Sequence, residues 1–301
     1  MRRLLSAIMR GRVTAMTASA VCAALSLLMP PLSYVSGAII GLATLKHGPR
    51  EGAVVVAGSL LLAGFFSWVM IGNFAPSGAF LLMSWLPAWV LAWLLGRWQQ
   101  QGLVFIGAAV MGMIAVLAIH VMIADPALWW LSMMRILLEP ALSQGAPNPS
   151  QLNLLLSQWA PLMTQYFGAA TASGILLTTL LARYWHSILD NPGGFGREFR
   201  AVRVGRGVLA FTVVVVLTAL FTRDTVGPAL ADMAGPVAAM LVFLGLAVSH
   251  SLIKLRKLGR VWLVTIYVLL LVPPHLAVTG LSMLGLLDGW IDFRSRVKTA
   301  S

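Results

Sequence analysis

Charged side chains are scarce in this sequence, and where they are missing is the first guide to its fold. Lysine, arginine, aspartate and glutamate make up 10% of the 301 residues. None lies near the centre of the longest apolar runs, which cover residues 54–71, 80–95, 103–123, 167–182, 208–220 and 230–248. About 20 apolar residues in a helix cross a bilayer, and lipid offers the backbone no hydrogen-bond partners. The sequence therefore predicts an all-α, polytopic transmembrane helix bundle with about eight to ten spans.

Cysteine, metal-binding and catalytic motifs are also scarce or missing. Cys22 is the only cysteine, which excludes an internal disulfide and a multi-cysteine metal site. The five histidines lack metal-binding spacing, and the sequence has neither a nucleophile motif nor a phosphate-binding loop with its lysine. We therefore predict no enzyme activity, no metal and no cofactor.

No polar stretch is long enough for a separate soluble domain. The longest, residues 184–206, has about 23 residues, too few to bury an independent core. We predict one integral membrane domain over residues 1–301, with an outer interfacial loop at 125–160 and a basic inner loop at 184–206. The formal charge of +12 does not indicate nucleic acid, because the basic residues gather at span ends, where they meet lipid headgroups.

The basic residues also predict an orientation in the membrane. Sixteen of the 21 lysines and arginines fall on alternate loops, starting with the N-terminal segment. The opposite loops hold only Arg135 and Arg223, and the remaining three lie in the C-terminal tail. Loops rich in lysine and arginine stay in the cytoplasm. We therefore expect a multi-pass protein of the bacterial inner membrane with a cytoplasmic N-terminus.

Two pairs of adjacent prolines interrupt apolar sequence. Pro30 and Pro31 predict an outside turn, because Lys46 has to return to the inside. Pro273 and Pro274 leave two interpretations open. A second hairpin would give ten spans and place the C-terminal tail inside, whereas one broken span across residues 261–287 would give nine.

The outer loop at 125–160 is rich in tryptophan and leucine. It predicts two short interfacial helices broken by a turn at 144–150. These helices would form either a hydrophobic collar on the outer leaflet or a lid over an outward-facing cavity.

Four residues are candidates for binding a small molecule. Trp85, Trp89 and Trp93 recur every four residues, which predicts one aromatic face on the fourth span. This face would contact a ligand, or it would serve packing or an interfacial belt. His120 lies near the outer end of the fifth span, where an ionisable residue suggests a role in proton or ligand handling.

Other residues are candidates for docking a partner subunit. Ala20 and Ala24 repeat at a four-residue interval on the first span, which permits close helix contact, either within the bundle or with another subunit. The basic inner loop has a turn followed by a run of arginines, which suits either lipid phosphates or a docking partner. Its candidate docking residues are Asn191, Pro192, Gly193, Gly194, Phe195, Arg197, Arg200 and Arg203.

Two segments carry a resemblance to a known family. Residues 191–205, beginning Asn191-Pro192-Gly193-Gly194-Phe195, resemble the inner-loop signature of YybS-like bacterial membrane proteins, whose conserved domain has no assigned function. Residues 287–294, Leu-Asp-Gly-Trp-Ile-Asp-Phe-Arg, resemble the end of the same family. The resemblance extends over essentially the whole chain, and it implies nothing about chemistry.

That family is similar, distantly, to the substrate-binding subunits of energy-coupling-factor transporters. Such subunits are helical bundles that capture a vitamin or metal ion and dock through small residues on their first span. The resemblance implies a protein that takes up or senses a small molecule, although about six spans are typical there. The alternative is a membrane scaffold in envelope assembly or division.

Overall fold

The computed structural model describes residues 1–143, 149–221, 227–272 and 274–299. Within these ranges the chain is helical and has no strand, which confirms the predicted all-α class. The helices of the first half are α1 (Arg2–Ile8), α2 (Arg12–Leu25), α3 (Leu32–His47), α4 (Pro49–Ile71), α5 (Ala75–Phe80), α6 (Leu86–Trp98), α7 (Gln101–Met122), α8 (Pro126–Ser143) and α9 (Pro149–Trp159). Those of the second half are α10 (Met163–Asp190), α11 (Gly194–Ala201), α12 (Arg206–Phe221), α13 (Pro228–Asp232), α14 (Ala234–Leu255), α15 (Val261–Leu271), α16 (Pro274–Ile291) and α17 (Phe293–Thr299).

The chain is a multi-pass membrane bundle. Four helical segments of the described chain are by themselves long and apolar enough to cross a membrane, namely Pro49–Ile71, Ala75–Trp98, Gln101–Met122 and Pro228–Leu255. The bent pair of α11 and α12, with 62° between its two parts, makes a fifth if it is counted as one span. The prediction of eight to ten spans also counts shorter apolar helices, such as α2 and α15, as membrane-crossing segments.

Buried apolar side chains form two clusters, and both include residues of α10 and of the helical segment Ala75–Trp98. One cluster joins these helices to α1, α2, α3 and α4, and the other joins them to α7, α12 and α14. Many large apolar side chains remain exposed, including Phe65, Leu61 and Leu269. Exposed apolar side chains suit a lipid surround, since lipid tails are as apolar as the side chains they contact.

Helices α3, α6 and α10 meet at two glycines of α3. A Cβ at Gly37 would overlap Ser84 of α6's N-terminal flank and Thr178 of α10, and a Cβ at Gly41 would overlap Ala182. The contact of Gly37 with Thr178 is followed by that of Gly41 with Ala182, four residues later on both helices. Helices α3 and α10 therefore run in the same direction. Small residues at this spacing allow backbones to approach closely in lipid.

Helix α10 connects the two ends of the bundle. With 28 residues it is about 42 Å long. At its C-terminal end lie α11, the extended segment 202–205 and α17, and we call this the basic end. At its N-terminal end lie α8 and α9, and we call this the distal end.

The second proline pair separates two helices, as the hairpin alternative predicts. Helices α15 and α16 are distinct and pack against each other, and α17 returns to the basic end beside α14. Pro273 itself lies outside the described residues, as do residues 144–148 of the predicted turn at 144–150 and Arg223.

Candidate functional site

The helix through residues 75–98 is irregular where a proline interrupts it. Pro87 has no N–H to donate, and its ring crowds the carbonyl group of Met83, four residues earlier. The chain widens into a π turn over Leu81–Trp85, in which the N–H of Leu86 donates to the carbonyl oxygen of Leu81. Single π turns inside helices occur often at functional sites. The π turn therefore indicates a candidate binding site in this part of the bundle.

A cavity of about 360 Å³ lies beside the π turn, near the distal end of the bundle. It is open on one side and is bounded by α3, by α5 with the π turn, and by α10. Its walls include Tyr34, Phe80, Met83, Ser84, Phe167 and Thr171. On the α10 side the lining residues Ala170 and Gly174 have little or no side chain, so this wall extends only a short way into the cavity. Pockets of roughly this size hold small organic molecules.

The cavity is apolar apart from a few hydroxyl groups. No charged side chain is among the described residues that line it. The hydroxyl oxygen of Ser84 is buried and has no hydrogen-bond partner within the described structure. A buried hydroxyl without a partner costs about 1–3 kcal/mol. The Ser84 hydroxyl lies against Gly37, so a ligand would recover this cost by a hydrogen bond once the side chain rotates towards the cavity.

Helix α8 is attached to one wall of this cavity. The indole N–H of Trp130 donates to the hydroxyl oxygen of Thr164 at 3.0 Å, and its ring lies 6.0 Å from that of Phe167, centroid to centroid. Because Phe167 lines the cavity, α8 is coupled directly to the α10 wall. The two helices predicted in the 125–160 segment are α8 and α9, and their position at the membrane interface stays a prediction.

The three candidate tryptophans pack α6 into the bundle rather than line the cavity. Trp85 is fully buried and donates its indole N–H to the hydroxyl oxygen of Ser36 at 2.9 Å. Trp89 is half-buried and donates to the carbonyl oxygen of Pro49 at 2.8 Å. Trp93 is 43% exposed and stacks on Trp89. A four-residue step falls about 40° past one full turn, so the stripe drifts from the core to the surface.

His120 lies apart from these tryptophans, in a pair with Asp232. Its Nε2 is 3.0 Å from a carboxylate oxygen of Asp232, and the two side chains are 11% and 2% exposed. The pair joins the distal end of α7 to α13. The structure therefore assigns His120 a carboxylate partner that the sequence did not suggest.

The small-residue pattern on α2 serves internal packing. Ala20 is 1% exposed and so cannot contact another subunit, whereas Ala24 is exposed. Ser19 lies on the packed face, and its hydroxyl donates to the carbonyl oxygen of Ser36. Of the two alanines predicted to dock a partner, only Ala24 is accessible.

The predicted docking segment is exposed at its turn and anchored beyond it. Asn191, Pro192 and Gly193 are exposed, and Gly193 adopts a left-handed φ of 79°, which favours glycine. Gly194 is buried and donates its N–H to the carbonyl oxygen of Asn191. Phe195 stacks on Phe199, with ring centroids 5.9 Å apart, and so packs towards the bundle.

Helix α11 is fixed to the bundle through its one acid. Glu198 accepts from the guanidinium of Arg183 in α10 and from the side-chain amide of Gln101 in α7. Gly102 follows, and a Cβ there would overlap the carbonyl oxygen of Arg203. These contacts hold α11 and the 202–205 segment against two helices.

The two segments that carry the family resemblance meet at the basic end. Arg203 donates two hydrogen bonds to the carboxylate of Asp292, at 2.9 and 2.6 Å. Arg294 donates to Asp288 and to the carbonyl oxygens of Arg200 and Val202. The loop at 191–205 and the segment at 287–294 are therefore one structural unit.

This unit contains one exposed and one buried ion pair. The Arg203 guanidinium lowers the pKa of Asp292 to about 2 by its hydrogen bonds to the carboxylate. Asp288 and Arg294 have side chains only 2% and 8% exposed. Among the remaining predicted docking residues, Arg197 and Arg200 have no acidic partner within the described residues.

Sequence reasoning missed the residues that line the cavity. Ser84 and Tyr34 are single polar residues in apolar segments, and only the arrangement of α3, α6 and α10 brings them together. One usable signal was present, since Pro87 predicts irregular helix geometry just before its own position. Comparison with known proteins finds no relative: no family model, no curated protein and no solved structure matches the chain.

Proposed function

We propose that this protein binds a small uncharged solute in the cavity beside the π turn, for uptake or sensing. The role resembles that of a transporter substrate-binding subunit. The observation that carries the proposal is the buried, unpartnered hydroxyl of Ser84 in the cavity wall. Binding sites are mostly apolar with a few placed polar groups, and this cavity has that composition.

The lining limits the chemistry of the solute. A charged solute would lose hydration without gaining a charged partner, because none lines the cavity. A flat or partly aromatic molecule would contact the rings of Phe80 and Phe167, and a polar group on it would bond the hydroxyl groups of Ser84 and Tyr34. We therefore propose an uncharged amphipathic solute.

The proposed orientation places the basic end in the cytoplasm of a bacterial cell and the cavity towards the outside. The bias of lysine and arginine towards one side of the inner membrane supports it. If a membrane partner subunit contacts α2, it does so through Ala24 and its exposed neighbours, since Ala20 is buried.

The test is to block the opening of the cavity with a large side chain and to identify the small molecules that stay bound to the purified protein. Ala170 is exposed and lines the cavity, so Ala170→Trp should block entry. Leu177 is also exposed on α10 but does not line the cavity, which makes Leu177→Trp the matched control. Small molecules would be extracted from each purified protein and identified by mass spectrometry.

We expect at least one uncharged molecule in the wild-type protein and in Leu177→Trp that is absent from Ala170→Trp. The same molecule should raise the melting temperature of the wild-type protein and leave that of Ala170→Trp unchanged. Identical extracts from all three proteins would overturn the proposal. So would a wild-type protein that carries nothing and responds to no member of a panel of uncharged, vitamin-sized solutes.

A membrane scaffold in envelope assembly is the second candidate. It is favoured by the exposed turn of Asn191, Pro192 and Gly193 and by the unpaired Arg197 next to it. A scaffold would carry no solute and would crosslink to a partner protein through these residues. The extraction experiment therefore separates the two functions.

A further inference from the structure

A second concave surface lies at the basic end, and it is lined by cations. It encloses about 580 Å³ between α11, the start of the 202–205 segment, the end of α14 and Arg294. Its basic residues are Arg197, Arg200, Arg203, Lys254 and Arg294, and no acid lines it. Five cations around one concave surface repel each other unless anions neutralise them.

The protein itself supplies only part of that neutralisation. Asp292 engages Arg203, and Asp288 engages Arg294. Of the other acids of the described basic end, Glu51 pairs with Arg12 and Glu198 pairs with Arg183, and both of these arginines lie outside this surface. The Asp190 carboxylate is 3.5 Å from Nε2 of His186 and does not line the surface. Arg197, Arg200 and Lys254 are left with no acidic partner in the described chain.

Ser251 adds a hydroxyl group to the same surface. Ser251 is 8% exposed and lines the cavity, and its hydroxyl makes no hydrogen bond to a described residue. Guanidinium groups bind phosphate through two parallel hydrogen bonds, and a serine hydroxyl or a lysine ammonium can complete the set. The chemistry of this surface is therefore that of a phosphate site.

We propose that the surface lined by Arg197, Arg200, Ser251 and Lys254 binds the phosphate of an anionic phospholipid. The site lies at a span end, where the headgroups of one leaflet are found. Leu255 lines it, and α15, which begins six residues later, has no buried residue along its length. The acyl chains of a lipid held here lie along that apolar surface.

The test compares two lipids that have the same acyl chains and the same phosphate but different net headgroup charge. Short-chain phosphatidylglycerol and short-chain phosphatidylcholine would be titrated into the detergent-solubilised protein, and inorganic phosphate would be added separately. The melting temperature reports binding. The variant is Arg200→Gln with Lys254→Gln. The matched control is Arg97→Gln with Arg260→Gln, two exposed cations at the same end that do not line the surface.

We expect phosphatidylglycerol to raise the wild-type melting temperature and phosphatidylcholine to leave it unchanged. Removing two cations should weaken the apparent affinity roughly 30-fold, whereas the control should lose less than about threefold. A third variant, Ala201→Glu, places an acid on an exposed lining residue and should abolish the response without loss of folding.

Three outcomes would overturn the proposal. Equal losses in the double variant and its control would show general surface electrostatics rather than a site. A response to inorganic phosphate as large as the response to phosphatidylglycerol would identify a soluble phosphate as the ligand. Equal responses to both lipids would show that headgroup charge does not matter.

Discussion

The basic end and the distal end of the bundle satisfy their polar groups in different ways. At the basic end, Asp288, Asp292 and Glu198 are each engaged by an arginine, and these pairs connect α10, α11, α16 and α17. At the described distal end, the only polar atom of the Ser84 side chain is buried without a partner beside a cavity. At the described basic end, Gln101 Oε1 and Asp288 Oδ1 are also buried without a partner, but the other polar atom of each side chain is engaged. The comparison indicates that the basic end is built for fixed geometry and the distal end for a guest molecule.

The largest expected effect comes from removing Arg294. Arg294→Met leaves the carboxylate of Asp288, which is only 2% exposed, without its cation. Breaking a buried pair in this way costs roughly 3–5 kcal/mol of unfolding free energy. Thermal denaturation in detergent measures the loss, with Arg206→Met as a control at an exposed arginine of the same end.

A double variant sharpens this prediction. Asp288→Leu together with Arg294→Met removes both charges and should recover the part of the lost stability that is due to the unpaired carboxylate. The hydrogen bonds from Arg294 to the carbonyl oxygens of Arg200 and Val202 stay broken, so recovery should be incomplete. If the single variant is as stable as the wild-type protein, the buried pair does not hold the basic end together.

The next effect is expected at the distal end. His120→Phe removes the imidazole that faces the buried carboxylate of Asp232 at 3.0 Å. Loss of a hydrogen bond to a charged group costs about 1.5–3 kcal/mol, so the melting temperature should fall by less than in Arg294→Met. Val121→Phe, at the neighbouring 76% exposed position, should have little effect. A fall equal to that in Arg294→Met would contradict the view that the basic end is the more tightly fixed.

The smallest effect is expected for the exposed pair of Arg203 and Asp292. Arg203→Gln should lower the unfolding free energy by at most about 1 kcal/mol at neutral pH, because water screens the pair. The folded-state pKa of Asp292 is about 2, below its ordinary value near 4. The stabilisation is therefore complete at pH above about 4 and is lost as the pH falls through about 2.

Melting curves recorded between acidic and neutral pH test whether this stabilisation is lost as the pH falls. The wild-type protein and Arg203→Gln should differ by a constant amount above pH 4 and converge near pH 2. The control is Arg206→Gln, which has no acidic partner within the described residues and should show no such convergence. A difference that grows as the pH falls would contradict the assignment.

The sequence predicted those features that depend on local pattern. Apolar runs predicted the helical class, the turn predicted at Pro30 and Pro31 lies between α2 and α3, and Ala20 of the predicted small-residue pattern is buried at a helix contact within the bundle. Small residues in apolar helices have few other uses, so their spacing is informative.

Features that depend on the relative rotation of helices could not be predicted. The cavity combines α3, α10 and a π turn, and a π turn adds a residue that rotates the helix face after it by roughly 100°. Within the turn, Trp85 is buried in the core, and its neighbour Ser84 lines the cavity. Arg203 and Asp292 are 89 positions apart, and nothing in the sequence pairs them.

The pairing of residues 200–203 with residues 288–294 has a consequence for how the protein is made. Up to 94 positions separate the bonded residues, so the ribosome synthesises residues 200–203 well before residues 288–294. Until α16 has entered the bilayer, Arg203 lacks its carboxylate and the 202–205 backbone lacks the Arg294 guanidinium. Closure of the basic end is therefore a late step of membrane insertion, and contacts between distant positions form slowly.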